Sequence, residues 1–222
     1  MLQNIKAVLF DLDGTLVDSM WLWKQIDLDY LGSRNIRMPE SLQKDIEGMS
    51  MRETAQFFQQ QFAITDSIDV MMAEWNAMAL ETYAHKVTWK PGAKEFLMQL
   101  KERGIATGIA TSNSKELLKA VSDALSMDTY IDCYLTGNEV NKGKPAPDIY
   151  LEVANRLHVL PQDCLVFEDI CPGIMAGKNA GMKVCAIYDD YSKDITEKKA
   201  LADAYIEDYT QIDWMGYNHG TK

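Results

Sequence analysis

Two aspartates one residue apart, Asp11 and Asp13, follow directly on four apolar residues, Ala7–Phe10. Residues two apart in an extended chain point to the same side, so both carboxyls can face one pocket. Two such charges repel unless a cation or a shared proton offsets them. A second apolar run, Cys164–Phe167, also ends on acids, Glu168 and Asp169. Taken alone, that pair reads equally as a solvated strand end or as a cap for the next helix. Joined to Asp11 and Asp13, it gives hard oxygen ligands without His or Cys, a set that suits Mg²⁺.

Two further segments carry groups that attract anions. Thr111, Ser112, Asn113 and Ser114 close an apolar run just before a helical pattern that starts at Lys115. Hydroxyls and free N–H groups at a helix start make a seat for an anion, although alone they describe any capped helix. In "NKGKPAPDIY", Lys142 and Lys144 lie in a Gly/Pro loop ahead of another helix, with Pro147 expected at its first position. A cation there opposes the helix dipole, so Lys144 makes sense with an anion or a carboxylate in between. Lys142 reads as a solvated neighbour.

These groups need a scaffold that brings strand ends together. Buried strands are expected at Ala7–Phe10, Ile105–Ala110, Cys133–Leu135, Cys164–Phe167, Val184–Ile187 and Tyr205–Ile206. Helical patterns such as Lys94–Arg103, Lys115–Ser126 and Pro147–Leu157 lie between them. That alternation predicts a doubly wound α/β fold with a mostly parallel sheet, whose ligands bind beyond the carboxyl ends of the strands. Residues 18–88 break the rhythm. Met51, Ala55, Phe58 and Phe62 form one helical stripe, and Met71, Trp75, Met78 and Thr82 a second. The reading is a core of residues 1–17 and 89–222 with a helical cap, residues 18–88, inserted after the first strand. Asp18 and Ser19 are expected to cap its first helix. Trp21, Trp23, Glu74, Trp75 and Asn76 are candidates to shape a leaving group.

Composition bounds the partners. The chain has 222 residues and a net charge of −11. Such acidity disfavours nucleic acid and anionic membranes, so an anionic substrate needs local positive charge. No apolar run approaches the roughly 18 residues of a membrane span, and no signal peptide precedes the first strand. Cys133, Cys164, Cys171 and Cys185 lack C-x-x-C spacing and read as reduced thiols of a cytoplasmic protein.

The motifs resemble those of the haloacid dehalogenase superfamily, in order and over essentially the whole chain: "DLDGTLVDS", "ATSNS", "KGKPAPDIY" and "FEDICPGIMAGKNAGM". The chain is most similar to the β-phosphoglucomutase-like branch, and "LADAYIEDYTQI" is similar to that branch's last strand. The resemblance implies a Rossmann-like core with a helical cap, working as a monomer on a small phosphorylated metabolite. It implies Asp11 as nucleophile forming an aspartyl-phosphate, and Asp13 as acid and then base. It implies phosphoryl contacts from Thr111, Ser112, Asn113 and Lys144. Mg²⁺ would be held by Asp11, the Asp13 carbonyl and Asp169, with Glu168 binding directly or through water.

Departures from the family's pattern favour hydrolysis. Asp13 argues against a dehalogenase. The cap lacks the lysine of the phosphonate-cleaving members. Trp23 stands where the sugar-phosphate mutases carry histidine, and Met51 where they carry arginine, with Arg52 one step on. A mutase must retain its phosphoryl group while the intermediate turns; a phosphatase need only admit water. The expected activity is a Mg²⁺-dependent phosphatase, the alternative a mutase, and the remote alternative a phospho-acceptor without turnover.

Overall fold

A computed structural model describes residues 1–192 and 194–214. Strand β1 (Ala7–Phe10) leads into a short strand β2 (Val17–Asp18) and then four helices. These are α1 (Met20–Ser33), α2 (Leu42–Asp45), α3 (Met51–Phe62) and α4 (Ile68–His85). Strand β3 (Thr88–Trp89) and helix α5 (Ala93–Glu102) bring the chain back to the sheet. Then follow β4 (Ala106–Thr111), α6 (Lys115–Leu125), β5 (Cys133–Thr136), α7 (Asp148–Arg156), β6 (Cys164–Glu168) and α8 (Cys171–Asn179). Strand β7 (Lys183–Ile187), helix α9 (Ile195–Leu201) and strand β8 (Ala204–Ile206) complete the order.

The sheet runs β5-β4-β1-β6-β7-β8, with every pairing parallel. Chain order reverses at β1, which lies between β4 and β6, and a ligand crevice opens at such a switch point. Alternation along β1 divides the core between two faces. Val8 and Phe10 pack on one face, where Phe10 stacks on Phe167 at 5.5 Å and meets the edge of Phe96. Ala7 and Leu9 face the other, with Val166, Ile149, Tyr150 and Ile174. Because both faces are covered, the central strands carry hardly a polar side chain until they end.

The helical segment is closed by its own aromatic cluster. Trp75 and Phe58 meet at 5.2 Å, and Tyr30 packs against both. Helix α3 starts on a reciprocal cap: the Ser50 hydroxyl accepts from the Glu53 N–H at 3.3 Å, and the Glu53 carboxylate from the Ser50 N–H at 2.7 Å.

Four expectations change. The connectors to the helical segment pair as a small antiparallel ladder, Val17–Asp18 with Thr88–Trp89. Two-residue strands leave too little alternation to read. In α4 the buried stripe is Met71, Trp75, Ala79 and Tyr83, while Met78 is exposed. Spacing of four throughout tracks this helix better than alternating threes and fours. Ser19 stands at the start of α1, but its hydroxyl makes no cap and bonds Asp13 instead. Pro147 precedes α7 as its N-terminal cap residue rather than forming its first turn. All four cysteines are free. No helix among the described residues is long and apolar enough to cross a membrane.

Candidate active site

The ends of β1, β4 and β6 and the loop before α7 converge on one pocket. Asp11 continues β1, and its N–H donates to the Phe167 carbonyl at 3.0 Å, which fixes the register of the two acidic strand ends. Asp11, Glu168 and Asp169 are buried and offer carboxylate oxygens within 4.8 Å of one another. Lys144 reaches in between. Its ammonium donates to Asp11 Oδ1 at 2.5 Å and to Glu168 Oε1 at 2.5 Å. The Tyr150 hydroxyl adds a 2.6 Å bond to the same Glu168 oxygen. Lysine and tyrosine together orient Glu168, while the Asp169 N–H donates to its Oε2 at 3.2 Å.

Close backbone approach makes this packing feasible. Gly14 adopts φ +78°, and a Cβ there would lie 2.5 Å from Asp169 Oδ2. At Gly173, in the first turn of α8, a Cβ would come 2.0 Å from Glu168 Oε1. Both positions exclude any side chain, by sterics at Gly173 and by sterics and left-handed backbone at Gly14.

Charge in this cluster is far from balanced by protein alone. Burial pushes the Asp169 carboxyl well up, and Asp11, Glu168 and Asp189 push it the same way, while the Thr15 hydroxyl at 2.9 Å from Oδ1 opposes them. Burial also raises Asp11, against the pull of Lys144. For Lys144, burial works against the charge, but Asp11 and Glu168 outweigh it and hold the amine protonated. One ammonium thus bonds two of the three buried acids, and Asp169 has only the longer-range influence of Lys198. Asp169 Oδ2 is buried and accepts no hydrogen bond among the described residues. An unused acceptor in an all-oxygen cluster fits a hard divalent cation.

Asp13 belongs to a second network. Its Oδ1 accepts from the Ser19 hydroxyl at 2.5 Å and from the Tyr83 hydroxyl in a short bond. Its Oδ2 accepts from Asn113 Nδ2 at 3.1 Å, which also donates to the Tyr83 oxygen at 3.0 Å. Trp23 Nε1 donates to that same oxygen at 2.9 Å. Burial raises the Asp13 carboxyl, and these donors pull it back. Burial and the Asp13 charge keep the Tyr83 phenol protonated, and therefore a donor. The acid on the core loop is thus tied to a helix of the inserted segment.

Thr111, Ser112 and Asn113 line the pocket with Asp11, Asp13 and Lys144. The Thr111 hydroxyl accepts from the Asn113 N–H at 3.0 Å, and Ser114 caps α6 through its hydroxyl, 3.3 Å from the Leu117 N–H. This turn presents polar groups toward the acids.

Of the five leaving-group candidates, Trp23 and Trp75 line the pocket. Trp21 donates to the Asp18 carbonyl at 3.2 Å, Glu74 pairs with Arg34 at 2.7 Å, and Asn76 accepts from Ser114 at 2.7 Å. Arg52 pairs with Asp69 at the surface. Sequence reasoning missed Tyr83, Tyr150, Asp27 and Gln43. Tyr83 ends the apolar stripe of α4 on a hydroxyl, and Asp27 interrupts the apolar face of α1 with a charge.

The chain matches the family model described as haloacid dehalogenase-like hydrolase over residues 8–187. It is 31% identical over 180 residues to a phosphorylated carbohydrates phosphatase of Thermotoga maritima, covering 81% of this chain and 83% of that one. It is 33% identical over 184 residues to a bifunctional riboflavin kinase/FMN phosphatase of Arabidopsis thaliana. That match covers 82% of this chain and spans only 48% of the plant protein. In fold it resembles the crystal structure of CbbY from Rhodobacter sphaeroides in complex with phosphate, with a TM-score of 0.83 and 22% identity. The likeness covers 93% of this chain and 96% of that one.

Proposed function

The chain belongs to the haloacid dehalogenase-like hydrolases, and we propose that it is a Mg²⁺-dependent phosphatase of small phosphomonoesters, sugar phosphates among them. The observation that carries the reading is the meeting of Asp11, Lys144, Glu168 and Asp169 at the switch point of the sheet. The phosphatase named for phosphorylated carbohydrates supports the substrate class.

In this reading Asp11 attacks phosphorus in line, and the ester's alcohol leaves as an aspartyl-phosphate forms. Asp13 gives the departing oxygen a proton, then takes one from the water that cleaves the acyl-phosphate bond. Thr111, Ser112 and Asn113 hold the phosphoryl oxygens, and Lys144 offsets their charge beside Asp11. Mg²⁺ would be held by Asp11, the Asp13 backbone carbonyl and Asp169, with Glu168 binding directly or through water. It would supply positive charge to the transferring group. Residues 18–88 serve as the cap over this pocket, and the protein acts as a cytoplasmic monomer.

Asp13 makes its hydrogen bonds to Ser19, Tyr83 and Asn113, so it must turn toward the substrate to act. No basic side chain of the helical segment lines the pocket to hold a second phosphate, which disfavours the mutase alternative. The direct test is phosphate release from an aryl phosphate with Mg²⁺, in the native protein and in Asp11→Asn. Expected is turnover in the first and its loss in the second. A fully active Asp11→Asn protein overturns the reading. Conversion of hexose 1-phosphate to 6-phosphate with a bisphosphate primer decides for the mutase.

A further inference from the structure

The pocket has a second wall, facing the core acids, and its charge is unusual for an enzyme that takes an anion. Asp27 on α1 and Glu47, in the loop after α2, supply the charged side chains of that wall. The single lysine lining the pocket is Lys144, already held by Asp11 and Glu168, and no arginine lines it among the described residues. Glu47 has Lys44 and Lys198 near enough to offset it in part. Asp27 has no such relief. It is only 6% exposed, and no lysine or arginine among the described residues pairs with it. Among the described residues, its carboxylate accepts a hydrogen bond from Gln43 Nε2 alone, at 2.7 Å to Oδ2. Burial pushes this carboxyl up to about 6, so it is charged in neutral solution at a cost to the fold.

The same wall carries the apolar side chains of Trp23, Ile26, Ile46, Met49 and Met51, together with the uncharged polar Gln43 and Thr54. Trp75 also lines it, and the Trp75 Nε1 donor is buried with no acceptor among the described residues. The wall therefore offers a desolvated carboxylate. We infer that the alcohol released at this site carries hydrogen-bond donors, as hydroxyls or an ammonium, and no second negative charge, with Asp27 making that selection. The inference rests on the phosphatase reading and adds the charge class of its substrate. A hydroxyl can donate to Asp27; an ammonium can do so too, and neutralises the acid as well. A phosphate or carboxylate placed here meets Asp27 in a wall where no lysine or arginine among the described residues lies to pair it. Repulsion between like charges is strong when water is excluded.

The test compares four hexose esters on the full chain with Mg²⁺: glucose 6-phosphate, glucosamine 6-phosphate, 6-phosphogluconate and glucose 1,6-bisphosphate. They are read as substrates or, where turnover is slow, as competitors of aryl phosphate hydrolysis. The neutral and amino sugars should exceed both anionic ones by about tenfold or more in kcat/KM or in competition. A further amine advantage of about tenfold identifies ammonium as the preferred donor, and parity identifies hydroxyl. In Asp27→Asn the penalty on the anionic esters should shrink several-fold. Should that variant fail to fold, the native panel decides alone. Equal or better use of the anionic esters, or an unchanged penalty in a folded Asp27→Asn protein, overturns the inference while hydrolysis stands. No turnover of any ester, aryl phosphate included, overturns the phosphatase reading and this inference with it.

Discussion

The two walls of the pocket handle buried charge in opposite ways. On the sheet side, Lys144 bonds both Asp11 and Glu168, Tyr150 bonds Glu168, and Thr15 bonds Asp169. Every acid there has a donor, and the shortfall of positive charge matches a divalent ion. On the helical side, among the described residues, Asp27 is bonded by an amide and no cation, and the Trp75 Nε1 has no acceptor. A completed network pre-organises chemistry, because fixed dipoles need no rearrangement when charge develops. An incomplete one marks where a ligand brings the missing partners. The two walls thus differ in how their acids are compensated, and Tyr83 links them by bonding Asp13 from the helical side.

The contrast can be broken most forcefully at Lys144. Lys144→Met strands Asp11 and Glu168 together, and breaking a buried ion network of this kind costs about 3–5 kcal/mol. Denaturant unfolding should show that loss, and hydrolysis should vanish with it. A variant of native stability would mean that the sheet wall does not depend on this ammonium.

The opposite result is expected across the pocket. The folded Asp27 carboxyl keeps its proton up to about pH 6, whereas an unfolded aspartate releases it near pH 3.9. Between those values the folded state binds more protons, so stability falls as pH rises through the window. The deficit is complete above about pH 7 and amounts to at most about 3 kcal/mol. Asp27→Asn should therefore raise Tm at pH 7.5 and change it much less at pH 4. A drop in Tm at pH 7.5 would show that the carboxylate is well compensated after all.

Mg²⁺ should act on the sheet wall alone. Added to chelator-treated protein at a hundredfold excess over its Kd, it should stabilise by about 2.7 kcal/mol, read as a rise in Tm. Asp169→Asn should blunt that rise. A melting curve indifferent to Mg²⁺ would count against the acidic cluster as a metal site.

The smallest effect is expected at the junction. Tyr83→Phe deletes one donor to Asp13 and leaves those of Ser19 and Asn113. Donors favour the ionised form, so their loss raises the Asp13 carboxyl further. The limb of the pH–rate profile that Asp13 governs should move to higher pH, with kcat down by about tenfold or less. A change in kcat with an unmoved pH profile would assign Tyr83 a purely structural part.

How much of this could be read from the chain differs by wall in the same way. Asp11, Glu168 and Asp169 were visible because each closes a continuous apolar run, and a parallel sheet gathers strand ends at one edge. Lys144 was visible because its place before a helix start is electrostatically unfavourable without an anion. Asp27 and Tyr83 were not singled out. Each sits within a helical stripe, and a stripe tells which face is buried without telling whether it meets core or pocket. Ser19 was assigned the wrong partner because a hydroxyl before a helix has a local use, and the competing bond to Asp13 exists only once the loop folds back.

The linear order of residues by itself determined the architecture and which acids end the central strands. Strand and helix periods, glycines and strand-end acids are local signals, and they act through nearest neighbours in the chain. Tertiary structure alone decided which acid is compensated and which is not. Lys144 and Asp11 are 133 positions apart in the chain and bonded. Asp27 is also a buried aspartate, and no lysine or arginine among the described residues pairs with it. Burial and distance between charges set those energies, and neither is written in any local stretch of sequence.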